Sequence, residues 1–212
     1  MQEILETIKQ GGITVYPLII CSIIALAVII EKLIVLRKKR ILMPEIEFAI
    51  KRIKSIDDVP EAIAVCNQNP GVFANLILSG LKLADQPLDI IRESFADQGR
   101  QEIRHLEKGL VLLETVAAIS PLLGLLGTVI GMIKVFKIIS ERGVGEASSL
   151  SGGISEALLS TAVGLTVGIP ALVFYNYFTS KSEDIILDIE KSANGLMQKL
   201  HCFQNENKPC DS

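Results

Sequence analysis

Residues 157–180 read ALLSTAVGLTVGIPALVFYNYFTS, about two dozen residues without a charged side chain. An α-helix rises 1.5 Å per residue, so about 20 apolar residues cross a hydrocarbon core roughly 30 Å thick. The carboxylate of Glu156 stands immediately before this stretch. The stretch therefore predicts a membrane-spanning helix with an acidic residue at one end.

Two other stretches meet the same criterion of length and composition. Residues 15–36 carry no charge until Glu31 and Lys32 near their far end, and about 19 uncharged residues separate Glu114 from Lys134. A core helix of a soluble protein could imitate any one of the three, but hydrophobic residues make up 49% of the 212-residue chain. Three such stretches in so short a chain predict an all-α membrane protein with three transmembrane helices.

Basic residues near the spans predict the orientation, because Lys and Arg accumulate on the cytoplasmic side. Residues 37–40 read RKKR directly after the first span, whereas the loop after the second span has Arg142 as its only base. The N-terminus is therefore expected outside and the C-terminus inside. Lys134 and Lys137, at the outer end of the second span, mildly oppose this orientation, and we expect both to snorkel toward lipid headgroups.

The spans and their orientation predict how the chain is divided. The predicted segments are an outer N-terminal segment (1–14), transmembrane helix one (15–36), a cytoplasmic helical region (37–110), transmembrane helix two (111–139), an outer loop (140–155), transmembrane helix three (156–180), and a cytoplasmic C-terminal helix and tail (181–212).

The cytoplasmic region is predicted to be helical. A helix has a cap-like start at Asp58, and Asn-Pro-Gly at 69–71 breaks the chain before another apolar-rich helix over 72–84. After Pro87 apolar residues recur at helical spacing and run into the second span, so we expect one unbroken helix there. The third span continues inward in the same way. The apolar stripes of these extensions can pack against other subunits or within the chain, and the pattern leaves both open.

Small residues recur at helical spacing inside the second and third spans. Such spacing lets two membrane helices approach closely and lets hydroxyl groups meet across the contact. For the glycines, plain helix packing is sufficient explanation. The predicted packing residues are Gly124, Gly127 and Gly131 in the second span and Ser160, Gly164 and Gly168 in the third.

Thr128, Thr161 and Glu156 are the candidate residues for an ion pathway. Both threonines are expected in the outer-to-middle part of the bilayer, although a lone membrane threonine often only bonds back to its own helix. A carboxylate at the edge of a span is costly unless it faces a bundle interior, a partner or water, so Glu156 indicates one of these or a simple interfacial position.

No Asp, Glu, His or Lys stands near the middle of any predicted span. A proton relay through this chain would therefore need a titrating group from another polypeptide. The four cysteines and two histidines form no metal-ligand spacing, and no catalytic constellation is present. We therefore expect no metal, no cofactor and no enzymatic activity, and no nucleic-acid partner.

Several motifs together resemble a known family. Residues 120–129 read SPLLGLLGTV and residues 153–165 read GISEALLSTAVGL, while Gly11-Gly12, Tyr16-Pro17-Leu18 and Glu31-Lys32-Leu33 mark the first span. On these motifs, over nearly its whole length, the chain resembles the MotA/TolQ/ExbB proton-channel family, and most closely its ExbB/TolQ branch.

The resemblance implies an inner-membrane stator subunit that forms a homopentamer, which makes the outer side the periplasm. Two single-span helices of an ExbD/TolR-type partner would thread the pore and each bring an essential aspartate. By the family pattern Thr128 and Thr161 line the pore and Glu156 lies at its periplasmic mouth. Proton flow would then drive a TonB- or TolA-like protein.

Some alternatives stay open at this point. The chain lacks the fourth span of MotA-like stators and the longer N-terminal extension of some ExbB proteins, so the choice between an ExbB and a TolQ role is undecided. Threonine hydroxyls suit Na⁺ as well as H⁺, and a Na⁺-driven stator is one alternative. A non-conducting membrane scaffold of an envelope assembly is another.

Overall fold

The computed structural model describes residues 12–36, 41–53, 55–143 and 147–204, and within these ranges every regular element is a helix. The predicted all-α class is confirmed. The helices are α1 (Val15–Val35), α2 (Pro44–Arg52), a short 3₁₀ turn (Ile56–Asp58), α3 (Val59–Gln68), α4 (Val72–Leu81), α5 (Leu88–Glu107), α6 (Leu110–Arg142) and α7 (Ala147–Gln204).

Some predicted features lie outside the described residues. They are the basic cluster at 37–40, which carries the predicted orientation, residues 1–11 of the outer N-terminal segment, and residues 205–212 of the C-terminal tail. The interpretations of these stretches stay predictions.

Three helices, α1, α6 and α7, are long and apolar enough to cross a membrane. Only 22%, 33% and 28% of the residues in their apolar windows are buried. Because apolar surface of this extent is unfavourable in water, it requires lipid or other protein chains around it. The prediction of three transmembrane helices is thereby confirmed. Large exposed side chains on these helices include Ile23, Leu122, Ile133, Leu158 and Ile169.

The chain divides into two compact units. The first unit comprises residues 1–32 and 109–178, and so contains most of α1, all of α6 and the first part of α7. The second unit comprises residues 33–108 and 179–212, with α2 to α5 and the last part of α7.

The expected unbroken helix from Pro87 into the second span was wrong. Helix α5 ends at Glu107 and α6 begins at Leu110. Between them Gly109 has φ +91°, a left-handed conformation that glycine adopts without the steric penalty of other residues. The apolar periodicity runs straight through this point, because one left-handed residue ends a helix without disturbing the pattern on either side.

Most of the predicted outer loop at 140–155 is helical. Helix α6 continues to Arg142 and α7 starts at Ala147, and Gly143 ends α6 with φ +74°. Residues 144–146 lie outside the described part of the chain. Serine and glycine are weak helix formers, which favoured a loop on sequence grounds. In the structure the helix is supported by packing, since a Cβ added at Gly153 would press on the side chain of Val135 in α6.

The second unit is built from short helices packed with the end of α7. Helix α3 follows Asp58 and carries a proline in its first turn, and residues 69–71 separate it from α4, both as predicted. Gly80 of α4 faces the ring of Phe95 in α5 so closely that an added Cβ would collide with it. The fully buried residues of the second unit include Phe73, Ile77, Ile91, Ile185 and Leu196.

Candidate functional site

Helices α6 and α7 pack against each other in the first unit along small residues. A Cβ added at Gly124 would lie 3.1 Å from the Cα of Thr161 and 3.2 Å from the Cα of Gly164. One added at Gly131, seven residues further along α6, would lie 2.8 Å from the Cβ of Ala157, seven residues back along α7. Equal steps in opposite directions define an antiparallel helix pair with a fixed register.

Glycine is required where the two backbones touch. A Cβ at Gly164 would lie 2.7 Å from the carbonyl oxygen of Ser120, and one at Gly168 would lie 2.8 Å from the ring of Pro121. Because real Cβ atoms essentially never approach other heavy atoms within 3.0 Å, alanine at either position would push the helices apart. The residues Gly124, Gly127, Gly131, Ser160, Gly164 and Gly168 all lie on this contact.

Thr14, just before α1, joins the same contact. Its Oγ1 lies 2.7 Å from the Oγ of Ser160, and both side chains are buried. A Cβ at Gly127 would lie 2.7 Å from the Thr14 oxygen and would collide with the Ser160 side chain. The missing side chain of Gly127 therefore leaves the space in which a hydroxyl pair ties the start of α1 to α7.

The hydroxyl groups of Thr128 and Thr161 bind consecutive carbonyls of α6. Thr128 donates to the carbonyl oxygen of Leu125 at 2.6 Å, within its own helix, and Thr161 donates to that of Gly124 at 3.2 Å, across the helix contact. Both threonines are half-buried. The structure thus places the two residues on neighbouring turns of one surface without a hydrogen bond between them.

These hydrogen bonds limit what the two hydroxyls can offer an ion. Each hydroxyl proton is already donated to a carbonyl, so lone pairs remain as acceptors. Such oxygens can accept a hydrogen bond from water or hydronium, or contact a metal cation, but they cannot store a proton at neutral pH. The arrangement can line a cation path and cannot complete a proton relay.

Glu156 lies about two and a half turns after the start of α7 and about one turn before Thr161. Its Oε1 accepts a hydrogen bond from Lys134 of α6 at 2.5 Å, and its side chain is 21% exposed. Gly12, with φ +72°, lies against the same oxygen, and an added Cβ there would collide with it. The carboxylate is therefore held between a lysine and a backbone segment.

Sequence analysis missed Lys134 as a partner of Glu156. We expected Lys134 to snorkel, and the structure instead pairs it across the α6–α7 contact. The register of the helix pair was the missing information. Once Gly131 is known to face Ala157, a lysine one turn beyond and a glutamate beside it come within reach.

Among the described residues of the first unit, the middle of α6 and of α7 carries no charged side chain and no histidine. Residues 115–133 of α6 and 157–178 of α7 contain no carboxylate, ammonium, guanidinium or imidazole group. In α1 the charged residues Glu31 and Lys32 stand near one end of the helix. The described parts of these helices therefore supply no carboxylate or imidazole in their middle.

These features define a class of protein: a three-span helical membrane protein with a glycine-packed helix pair and a hydroxyl-bearing surface. The sequence profile of the MotA/TolQ/ExbB proton channel family matches residues 68–191. The match takes in α4, α5, α6 and most of α7, including every candidate residue named above except Gly12 and Thr14. The chain belongs to this family.

Several relatives carry names from the ExbB/TolQ branch. The protein named "Putative biopolymer transport protein ExbB-like 3" of Synechocystis sp. is 36% identical over 178 residues, which is 80% of this chain and 82% of that one. Biopolymer transport protein exbB1 of Vibrio cholerae is 30% identical over 203 residues, 92% of this chain and 87% of its own. Tol-Pal system protein TolQ of Pseudomonas aeruginosa is 35% identical over 119 residues, 56% of this chain and 47% of its own.

Proposed function

We propose that the chain is the channel subunit of an inner-membrane, proton-driven energiser. Copies of it, expected to number five, would surround an ExbD/TolR-type partner whose intramembrane aspartates accept and release protons. The assembly would pass the energy of the proton gradient to a TonB- or TolA-like protein of the envelope. The N-terminus would lie in the periplasm and the C-terminus in the cytoplasm.

The single observation that supports this best is the surface carrying Thr128 and Thr161. It combines hydroxyl acceptors with a complete lack of charged groups at mid-membrane depth. Such a surface can guide a hydrated proton toward a carboxylate on a partner without competing for the proton. Membership in a proton channel family supports the same function.

Glu156 fits the periplasmic mouth of this pathway. It is the acidic residue that precedes the charge-free stretch of α7, and a carboxylate at the edge of a span is favoured when it faces a partner or water. In this role it would accept hydrogen bonds from water at the mouth, while Lys134 balances its charge.

Proton uptake by reconstituted vesicles tests the proposal. The chain is co-purified with the ExbD/TolR-type protein encoded in the same genome, and a pH-sensitive dye inside the vesicles reports uptake under an imposed gradient. Thr161→Val should reduce uptake about tenfold, in line with the loss of one polar group in a narrow path, and Thr161→Ser should retain most of it.

Thr166→Val is the matched control for Thr161→Val. Thr166 is an exposed hydroxyl on the same helix that donates to the carbonyl of Ala162 at 2.8 Å, so its loss removes a threonine–carbonyl hydrogen bond that lies within α7. Each variant is compared at equal amounts of assembled complex, which separates conduction from folding. Equal proton uptake by both valine variants, or uptake of Na⁺ in place of H⁺ by the unmodified complex, would contradict the proposal.

A further inference from the structure

Lys134 and Glu156 form an ion pair that bridges α6 and α7. The Nζ of Lys134 lies 2.5 Å from Glu156 Oε1, and the two side chains are 50% and 21% exposed. The pair stands just beyond the contact of Gly131 with Ala157, where the two helices pack closely. Because that contact fixes the register of the two helices, it also fixes the distance that the lysine must span.

The backbone at Gly12 encloses the other side of the carboxylate. Besides colliding with Oε1, a Cβ added at Gly12 would lie 3.0 Å from the Cδ of Glu156 and 3.3 Å from its Cγ. The φ of +72° at this residue belongs to the region that favours glycine. Three segments of the first unit therefore position one carboxylate, and among the residues that the structure describes α6 supplies it with an opposite charge.

The next lysine of α6 makes a different kind of pair. Lys137 lies 3.9 Å from Glu141 of the same helix, and the two side chains are 73% and 58% exposed. That pair is local and solvated, so it holds no second helix in place. Lys137 thus provides an internal comparison for Lys134, with the same charge and nearly the same depth.

We propose that Lys134 is a positioning and charge-compensating residue for Glu156 that limits how strongly this carboxylate attracts cations. The inference rests on the proposed function. A lone carboxylate at the edge of a membrane pathway attracts Na⁺ and K⁺ as well as protons, as acidic rings do in cation channels. The ammonium group of Lys134 cancels that charge, and it also keeps the carboxylate seated against Gly12.

The expected effect follows from Coulomb's law. Removing one positive charge about 6 Å from a cation in water lowers the electrostatic energy of that cation by slightly more than the thermal energy. The local concentration of the cation then rises about threefold. Lys134→Met should therefore raise the initial rates of H⁺ uptake and of any Na⁺ uptake about threefold each, because the charge acts equally on every monovalent cation. Lys134→Arg keeps the charge and should keep the rates of the unmodified complex.

The experiment uses the reconstituted complex with its ExbD/TolR-type partner. Vesicles report H⁺ uptake with a pH-sensitive dye and Na⁺ uptake with a radioactive tracer. Lys137→Met is the matched control and should leave both uptake rates unchanged. In the double variant Lys134→Met/Glu156→Gln the uncompensated charge is gone, so both rates should return toward those of the unmodified complex.

A second readout follows the position of the carboxylate directly. Reaction of Glu156 with a water-soluble carbodiimide, measured by mass spectrometry, should be faster in Lys134→Met than in the unmodified complex or in Lys137→Met. Equal uptake rates and equal labelling in the two methionine variants would overturn the inference. A complex that takes up no protons would overturn the proposed function and the charge-compensating role with it, and the labelling would still decide the positioning role.

Discussion

The side-chain oxygens of Thr14 and Ser160 lie 2.7 Å apart in a buried hydrogen bond that ties the start of α1 to α7. Removing one partner leaves the other hydroxyl buried without a hydrogen bond, which costs more than removing both. We therefore expect Ser160→Ala and Thr14→Val each to lower the free energy of unfolding in detergent by about 1–2 kcal/mol.

The double variant tests the coupling between these two residues. Since Thr14→Val and Ser160→Ala together leave no orphaned hydroxyl, their combined effect should be smaller than the sum of the single effects by about 1 kcal/mol. Strictly additive effects in the thermodynamic cycle would show that the two oxygens do not depend on each other.

The glycine contact between α6 and α7 predicts opposite effects for two glycines of the same helix. Alanine at Gly164 would press on Ser120 and Gly124 and should destabilise the protein by about 1–3 kcal/mol. Alanine at Gly152, where nothing lies within 4 Å of an added Cβ, should be neutral or stabilise α7 by up to about 1 kcal/mol. Thermal unfolding in detergent measures both, and equal losses of stability would contradict the close backbone contact.

The membrane-spanning helices could be predicted from sequence because length and composition determine them almost alone. A charge-free run such as residues 157–180 has few alternatives to crossing a bilayer. The repeat that contains Gly164 likewise indicated that one face of the helix packs closely. These inferences need only the order of residues along a single helix.

The pairing of Lys134 with Glu156 could not be predicted in this way. It depends on the register between two helices, which tertiary packing sets and neither helix encodes by itself. The break at Gly109 was missed for a related reason, since a single left-handed glycine leaves the apolar period intact on both sides. Features that depend on one backbone dihedral or on one interhelical register are the least accessible to sequence patterns.

Alanine variants at Gly12 and Gly143 can be compared to test whether Gly12 holds the Glu156 carboxylate in position. Both have positive φ, at +72° and +74°, so alanine carries a similar backbone cost of about 1–2 kcal/mol at each position. An added Cβ at Gly143 meets nothing within 4 Å, whereas one at Gly12 collides with the carboxylate. Gly12→Ala should therefore weaken the protein more in thermal unfolding and speed carbodiimide labelling of Glu156, and identical behaviour of the two variants would contradict the geometry.

Cys66 of α3 predicts a pH dependence of stability in the second unit. Burial raises the pKa of its thiol to about 11, because the thiolate would lose its solvation. The unfolded chain therefore releases this proton at a lower pH than the folded protein, so stability should fall as pH rises from about 9 to about 11. Cys66→Ala should flatten this decline in unfolding measurements across that range. If stability declines as steeply in Cys66→Ala as in the unmodified protein, other titrating groups cause the decline.

Lys199 of α7 caps the C-terminal end of α2. Its ammonium group donates to the carbonyl oxygens of Ile50 and Lys51, each at 2.9 Å, and to that of Ile53 at 3.3 Å. The last carbonyls of a helix have no partner within the helix, and a cation among them also faces the negative end of the helix dipole. Burial lowers the pKa of Lys199, which shows that its position costs solvation that these three carbonyls must offset.

Removing this cap should destabilise the second unit. Lys199→Met retains the length of the side chain and loses all three hydrogen bonds, so we expect a loss of about 1–2 kcal/mol in the free energy of unfolding. Lys191→Met, at an exposed lysine two turns earlier on α7, controls for the change in charge and hydrophobicity and should alter stability by less than about 0.5 kcal/mol. Limited proteolysis should also cut faster between α2 and α3 in Lys199→Met, since the carbonyls that the lysine holds lie at that junction. Equal stability and equal proteolysis in the two variants would mean that water replaces the ammonium group at the end of α2 without loss.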